Sequence, residues 1–385
     1  HGLVIDPLLI FATYSGSEAD NWGSTATPGE NGTLYSSGIT NHFVNQIFSG
    51  EFPATPGAFQ TSYGGGYDVG ILKYDSAGTQ LLYASYLGGG GTDTPHSLIV
   101  NSKNELIIFG TTSSSDFPLQ HAFDTTFNGG ASISQDDHVL DYADGSDIFI
   151  ARVSADGATL LSSTYLGGSL NDGLNDIEGG LVANYGDEQR GDIITDSADN
   201  IYLSSVTASS DFPIVDGFDP VYNGGATDAV VLKLAPDLSA ITWSTFLGGT
   251  NTDASHTIKL DTDNHLYVGG GTLSNDFPSI DSGFQTSKRD TTDGFIVKIH
   301  HAGSGILNST FVGTDGFDQV YFIDLNEEGD VYVYGQTNSS AFPIHPAVVY
   351  RNEGSGQFVQ KYDHLLSSRM FSTVFGSGRG VPDIS

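Results

Sequence analysis

The sequence predicts an all-β fold, a β-propeller of four-stranded antiparallel blades, and three observations carry that prediction. Landmark motifs recur along the chain, their spacing is fixed, and the segments between them have the composition of short strands. One landmark is an aromatic–apolar pair followed by glycine: Tyr86-Leu87-Gly88-Gly89, Tyr165-Leu166-Gly167-Gly168 and Phe246-Leu247-Gly248-Gly249. Weaker copies stand at Tyr14-Ser15-Gly16, Phe311-Val312-Gly313 and Val374-Phe375-Gly376. A second is Asp-Phe-Pro, at Asp116-Phe117-Pro118, Asp211-Phe212-Pro213 and Asp276-Phe277-Pro278, with variants at Glu51-Phe52-Pro53 and Ala341-Phe342-Pro343. The third is an aspartate leading a mostly apolar run that ends in a base: Asp68 to Lys73, Asp147 to Arg152, Asp228 to Lys233 and Asp293 to Lys298.

The spacing fixes the unit. Gly88 to Phe117, Gly248 to Phe277 and Gly313 to Phe342 are each 29 residues, and Phe52 to Gly88, Phe212 to Gly248 and Phe277 to Gly313 are each 36, so the repeat is 65 residues. The unit after Gly248 shows the four strands in order: His256–Leu260, His265–Gly269, Gly294–Ile299 and Ile306–Val312. Each is rich in Val, Ile, Leu, Tyr or Phe and is bounded by Gly, Asp, Asn or Pro. Turn chemistry separates the pairs, as in Asp261-Thr262-Asp263-Asn264, Asp75-Ser76-Ala77-Gly78 and Ser154-Ala155-Asp156-Gly157. No stretch holds helical periodicity for a dozen residues, so helices are expected to be minor. A β-helix needs shorter rungs and a sandwich does not repeat.

Some of these residues also carry a family resemblance. Ser163 to Gly168, Asp196 to Leu203, Thr207 to Pro213 and Asp228 to Leu234 together resemble the SBBP repeat, named for the seven-bladed β-propeller, over essentially the whole chain. The resemblance implies the propeller region of a large Bacteroidota cell-surface protein, exported by the type IX system and associated with gliding or adhesion, with components of that system as partners. Five units run between Gly16 and Gly376, and the expectation is a ring of six to seven blades. Leu8 to Tyr14 then reads as the outer strand of the last blade, and Val381 to Ile384 as the start of another first strand. Residues 1–385 are expected to be one propeller domain, C-terminally incomplete.

Composition narrows the function classes. Of 385 residues, 46 are acidic and 13 basic, a formal charge of −33, which repels a phosphate backbone or an anionic membrane rather than neutralising it. Nucleic acid is therefore excluded as an ordinary partner. The chain has no cysteine, which removes disulfides, thiolate zinc sites and thiol catalysis together. No apolar run is long enough for a membrane span, so no membrane insertion is expected. The first residue is His1 with no leader pattern, which reads as a chain whose leader is removed, secreted or displayed on the cell surface. The acid excess has three readings: solubility in a salty medium, divalent cations shared among carboxylates, or a face for a basic partner.

Residues that recur in every unit serve the unit. The Phe of Asp-Phe-Pro reads as a wedge between blades, its Asp as a cap on backbone N–H groups, and His96 and His256 as polar lining of the central channel near the start of an innermost strand. Function is to be sought where units differ. Phe117 to Phe212 spans 95 residues, 30 more than the norm, with fourteen extra between Gly130 and Asp147 and sixteen between Gly168 and Asp196. The first segment carries Asp136, Asp137, His138, Asp141 and Asp144; the second carries Asp172, Asp176, Glu178, Asp187, Glu188 and Arg190. Asp172 stands five residues after Gly167, as Asp93 does after Gly88, which also fits a repeat position. Between Gly16 and Phe52 lies a further insertion of seven, with Trp22 nearby.

Carboxylates at this density suit Ca2+, which takes oxygen ligands from loops, although no EF-hand spacing is present. Calcium is thus the candidate cofactor, with Asp136, Asp137, Asp141, Asp144, Asp172, Asp176 and Asp187 as candidate ligands. Trp22, Tyr185 and Arg190 are the candidates for contact with a glycan, a surface or a protein partner. No catalytic residue is assigned, because no local nucleophile–base signature exists and scattered acids are not a constellation. The leading reading is a non-catalytic binding or adhesion module. A scaffold or export-docking domain of a large surface protein is the alternative, and a carbohydrate-active enzyme the third.

Overall fold

The structure, a computed structural model, describes residues 11–44, 48–135, 140–175, 180–183, 186–346 and 350–376. It contains five four-stranded antiparallel sheets, each with its strands in chain order, and in the first two sheets a short two-stranded hairpin intervenes between the second and third strands. Blade 1 is Asn21–Pro28, Leu34–Thr40, Asp68–Tyr74 and Leu81–Leu87; blade 2 is Asp93–Val100, Leu106–Thr112, Asp147–Val153 and Leu160–Leu166. Blade 3 is Asp192–Thr195, Ile201–Thr207, Asp228–Leu234 and Ile241–Leu247. Blade 4 is Asp253–Leu260, Leu266–Thr272, Asp293–Ile299 and Ile306–Val312. Blade 5 is Asp318–Leu325, Val331–Thr337, Gln357–Tyr362 and Arg369–Phe375. The predicted propeller architecture is present, and the four expected strands of blade 4 are found, the first and third starting at their aspartates.

Apolar clusters bind neighbouring blades face to face. One joins Tyr35, Val69 and Leu87 of blade 1 to Leu106, Ile108 and Phe149 of blade 2, and others link blades 2 and 3, 3 and 4, and 4 and 5. The Asp-Phe-Pro phenylalanine belongs to these clusters: Phe117, Phe212, Phe277 and Phe342 are all buried, with Phe117 4.6 Å from Phe149 and Phe277 4.4 Å from Phe295 between ring centroids. Its aspartate reaches across to the loop from the preceding blade, where Asp116 accepts from Gly90 N (2.7 Å), Asp211 from Ser169 N (2.9 Å) and Asp276 from Thr250 N (2.9 Å). Wedge and cap are therefore one device.

Among the described residues no cluster joins blade 5 to blade 1. Among the described residues nothing covers the far side of blade 5, where Phe322 is 58% and Tyr332 38% exposed. On the far side of blade 1, the Phe11 ring lies where a Cβ on Gly78 would stand, 2.1 Å away; Tyr83 meets Gly157 and Trp243 meets Gly303 in the same way. Phe11 thus makes on blade 1 the contact that a fourth strand makes on the next blade. Phe11 to Tyr14 are nonetheless not in a strand, and Leu8 to Ile10, like Val381 to Ile384, lie outside the described residues.

Each blade also holds its own cation. The base ending the third strand pairs with an acid in the turn between the first two strands: Lys73–Glu30 (2.6 Å), Arg152–Glu105 (2.9 Å), Lys233–Asp196 (3.6 Å), Lys298–Asp261 (2.8 Å) and Lys361–Asp330 (2.7 Å). In four blades the ammonium also sits over a tyrosine ring, at 4.7 to 5.1 Å from its centroid. The turn acids Asp196 and Asp261 are accordingly occupied by lysines.

Two aspartates meet at each junction. The one that starts a blade's third strand and the one that starts the next blade's first strand flank the glycine that ends the strand between them. A Cβ on Gly88 would stand 2.6 Å from Asp68 Oδ1 and 2.7 Å from Asp93 Oδ2; on Gly167, 2.7 Å from both Asp147 and Asp172; on Gly248, 2.4 Å from Asp228 and 2.9 Å from Asp253. Burial raises these acids against the N–H and O–H groups that donate to them, Asp68 and Asp172 to about 8, Asp93, Asp147, Asp228 and Asp318 to about 7, and Asp253 to about 6.

Replacing Gly167 with alanine places a methyl against two carboxylates, and the expected cost is roughly 1–3 kcal/mol or more, while Gly23→Ala, with nothing within 4 Å of the added carbon, is expected to leave the thermal midpoint unchanged. The junction acids also set a pH dependence. An acid whose folded pKa lies above its unfolded value contributes stability that is whole below the unfolded pKa, near 3.8, and lost as pH rises through the folded one. Asp75, Asp211 and Asp276, held below the usual range by N–H groups donating to them, lose their contribution as pH falls through their own folded values. Thermal melts are therefore expected to peak between about pH 4 and 6 and to decline towards pH 8. Asp68→Asn is expected to shallow that decline, and a melt that rises steadily to pH 8 contradicts the assignment.

Candidate functional site

The innermost strands of the blades surround an axial cavity of about 640 Å³. Four of these five strands carry an irregularity at the same place, where the register slips at Gly23/Thr25, Pro95/Ser97, Ser255/Thr257 and Val320/Phe322. The residue skipped is Ser24, His96, His256 or Tyr321. A β-bulge leaves one residue unpaired and re-aims its side chain. Ser24, His96 and His256 line the cavity, as the sequence led us to expect for the two histidines.

Blade 3 departs from this pattern, and the departure builds the site. Its first strand begins where the repeat requires, with Asp172 bridging to Thr207 and Gly173 N donating to Val206 O (2.9 Å). The chain then leaves the sheet and resumes pairing at Asp192 with Ser204. The sixteen-residue insertion is thus spliced into an innermost strand, at the level of the bulges. It crosses the mouth of the channel: Leu174 packs with Ile39 of blade 1, Leu181 with Val206 and Ala254 of blades 3 and 4, and Leu181 O accepts from Gln319 Nε2 of blade 5 (2.9 Å). The fourteen-residue insertion joins it. It forms a hairpin, Ile133–Gln135 with Leu140–Tyr142, whose Leu140 and Tyr142 enter the cluster of Leu174 and Ile39; Leu140 also faces the cavity. The two insertions form one cap with an apolar underside.

The cap is held by an ion pair whose acid is buried and whose base is partly exposed. Asp187, fully buried, takes Arg190 Nε at 2.6 Å, Ala183 N at 2.9 Å and the Tyr321 hydroxyl at 3.1 Å. The Arg190 guanidinium lies 4.1 Å from the centre of the Tyr321 ring, and His256 packs on the same ring at 5.5 Å. Beneath the cap, Asp192 ties three blades together, accepting from Ser97 Oγ (2.9 Å), Thr257 Oγ1 (3.3 Å) and Ile258 N (3.2 Å). Burial raises the Asp192 carboxyl above its ordinary range. Burial lowers His96 to about 3, and burial with the Arg190 charge lowers His256 to about 4, so both imidazoles are neutral at pH 7.

The residues named from the sequence distribute unevenly. Trp22 and Arg190 both line the cavity, Trp22 partly exposed and 5.9 Å from Tyr67 between ring centroids; Tyr185 lies outside the described residues. Trp22 stands in the first strand itself. The seven extra residues fall after Thr40, around a short hairpin of Phe43–Val44 with Phe48–Ser49. Of the candidate calcium ligands, Asp136, Asp137 and Asp176 lie outside the described residues, as do His138 and Glu178. Asp172 is buried and bonded to Gly168 N (2.7 Å), Ser209 Oγ (3.1 Å) and Thr207 Oγ1, the repeat's own position. Asp187 belongs to the ion pair with Arg190. Asp141 and Asp144 line an open depression with Asp116, and Asp141 accepts from Ser134 Oγ. The sequence reading missed Asp192, whose signal was its place at the end of the insertion, and the apolar residues Leu140, Tyr142, Leu174 and Leu181 within the acidic segments.

No family model matches the chain, and no curated protein matches it. Solved structures do. A protein of unknown function from Dyadobacter fermentans is 11% identical, with 95% of this chain and 86% of that chain covered and a TM-score of 0.45. The NanB sialidase of Streptococcus pneumoniae is 8% identical over 94% of this chain and 62% of its own, with a TM-score of 0.44. A gluconolactonase from Xanthomonas campestris is 11% identical over 92% and 88%, with a TM-score of 0.34. No helix among the described residues is long and apolar enough to cross a membrane.

Arg190→Met strands the Asp187 carboxylate in the cap without its cation, a loss of the kind that costs about 3–5 kcal/mol when a buried pair is broken. Limited proteolysis is expected to cut between residues 174 and 191 well before the blades; equal resistance in variant and parent contradicts the pair's role in holding the cap.

Proposed function

We propose that the chain is a non-catalytic binding module whose ligand is a glycan, held at the capped axial cavity. The observation that carries this reading is the convergence of both insertions, Trp22 and Arg190 on that one cavity. The wall mixes a flat ring at Trp22 with hydroxyl, amide and charged groups at Ser24, Thr25, Gln189, Arg190 and Lys259, which suits a ligand with apolar ring faces and many hydroxyls. Display of unique loops on a rigid repeated frame is a common way for a scaffold to acquire specificity. The motif resemblance to SBBP repeats supports an extracellular, surface-associated setting, and the strong acid excess fits such a medium.

The enzyme reading has less support from the site. Hydrolysis of a glycosidic bond by the usual route needs two carboxyl groups facing each other, and Asp192 is the one acid among the described residues lining the cavity. Its oxygens are already engaged by three blades. The scaffold reading is the rival, and the cap supports the binding reading, because a spacer needs no capped cavity lined in part by polar groups.

Trp22 is partly exposed and Trp243 is buried, so intrinsic fluorescence reports on the cavity side. Titration of the intact chain with a panel of neutral, uronic and sulfated oligosaccharides is expected to give a saturable change with at least one member. Trp22→Ala, which removes that reporter and is therefore followed by calorimetry, is expected to weaken the binding roughly tenfold, the worth of one aromatic contact. Silence across the panel overturns the glycan reading in favour of the scaffold.

A further inference from the structure

Among the described residues, blade 4 carries a histidine cluster that no other blade has. It lies where the turns between first and second and between third and fourth strands emerge, at the opposite strand ends from the loops that lead into the junction aspartates. At the third-to-fourth turn, blades 1, 2 and 3 have Asp75-Ser76-Ala77-Gly78, Ser154-Ala155-Asp156-Gly157 and Ala235-Pro236-Asp237-Leu238; blade 4 has His300-His301-Ala302-Gly303. The neighbouring turn of the same blade ends in His265. The three imidazoles lie together, tilted to one another, with centroids 5.1 Å (His265–His300), 5.3 Å (His265–His301) and 4.2 Å (His300–His301) apart. One ligand nitrogen of each lies within 4.8 Å of the others.

The frame beneath them is fixed by backbone bonds. Trp243 Nε1 of blade 3 donates to His301 O (3.1 Å), Gly303 N donates to His300 O (2.8 Å), and Asp261 N donates to His265 O (3.0 Å). Burial, with Lys298 and the other two histidines and against Asp261, holds His265 below the ordinary imidazole range and favours its neutral, ligand-competent form.

We propose that His265, His300 and His301 form a binding site for a borderline divalent transition-metal cation, Zn2+, Ni2+ or Cu2+. The donor set selects the class. Three imidazoles suit these ions, whereas Ca2+ and Mg2+ take oxygen ligands. Three nitrogens about 2.0–2.1 Å from one tetrahedral ion stand about 3.3 Å apart, so modest side-chain rotations from the observed spacing close the site. His301 is exposed and the other two are half-buried, which leaves a further coordination position open to solvent. Loading has a cost that fixes its strength. His265 Nδ1 accepts from His301 N (3.1 Å), and His300 Nδ1 accepts from Ala302 N (3.2 Å) and meets Ser304 Oγ (3.1 Å). These bonds place the proton of the neutral His265 and His300 rings on Nε2, so a cation binds either at Nδ1 or at Nε2 after that proton has moved to Nδ1; both routes give up the bonds to Nδ1, and micromolar affinity is expected rather than that of a structural zinc centre. When bound, the ion ties the two turns of blade 4 together.

The test is calorimetric titration of the intact chain with Zn2+ in excess Ca2+, which saturates the many surface carboxylates first. One saturable site is expected. His300→Gln and His301→Gln are each expected to weaken it roughly tenfold or more, while His121→Gln, away from the cluster, leaves it unchanged. All three positions lie in surface turns, and melts of the variants in EDTA check that folding is intact. Absence of saturable Zn2+ binding in the parent, or undiminished binding when both His300 and His301 are replaced, overturns the proposal.

Discussion

The structure depends on a glycine that has no room for a side chain. At the end of the fourth strand of blades 1 to 3, two carboxylates belonging to adjacent blades close over one α-carbon; the N–H that follows the glycine donates to the first-strand acid, and N–H groups of the preceding loop donate to the third-strand acid. That contact sets how one sheet meets the next. The Asp-Phe-Pro phenylalanine then fills the space between the faces, and its aspartate binds the loop that the glycine begins. The recurring lysine–acid–tyrosine group has a different task, holding the third strand to the first turn within a blade. Between-blade and within-blade order thus come from separate residues, which is why a fixed spacing of landmarks was enough to reveal the architecture.

The site follows from a breach in that order. Four innermost strands bulge towards the axis, but the innermost strand of blade 3 opens altogether, and the described part of its insertion lies across the channel. Because the release point is a strand at the axis rather than a rim loop, the inserted segment can touch blades 1, 3, 4 and 5 at once. The Asp187–Arg190 pair and the Tyr321 ring lock it there. Asp192, where the strand resumes, clamps the neighbours on either side and keeps the interrupted blade in register.

Much of the fold was legible because repetition amplifies a weak signal: a single Tyr-Leu-Gly-Gly says little, but the same motif at equal intervals says a great deal. The site was harder to read. The two insertions were visible as surplus residues, and their charge drew attention to Asp136, Asp141 and Asp176. The packing of the cap rests on Leu140, Tyr142, Leu174 and Leu181, four apolar residues too scattered for any periodic pattern. Trp22 and Arg190 are far apart in the chain and share a wall only because blade 1 and blade 3 both face the axis. The histidines of blade 4 were invisible for the same reason. His265 lies 35 residues from His300, and only the antiparallel meander brings their turns together.

The junction aspartates also bear on how the molecule exchanges protons with its surroundings. Counted from sequence, the chain is a −33 polyanion whose carboxylates finish ionising far below neutrality, leaving histidines to buffer. The fold exchanges these ranges. His96 and His256 titrate near 3 and 4, where aspartate ordinarily does, while seven junction aspartates titrate between about 6 and 8, where histidine ordinarily does. The groups placed to exchange protons near neutrality are therefore the ones at which one blade meets the next.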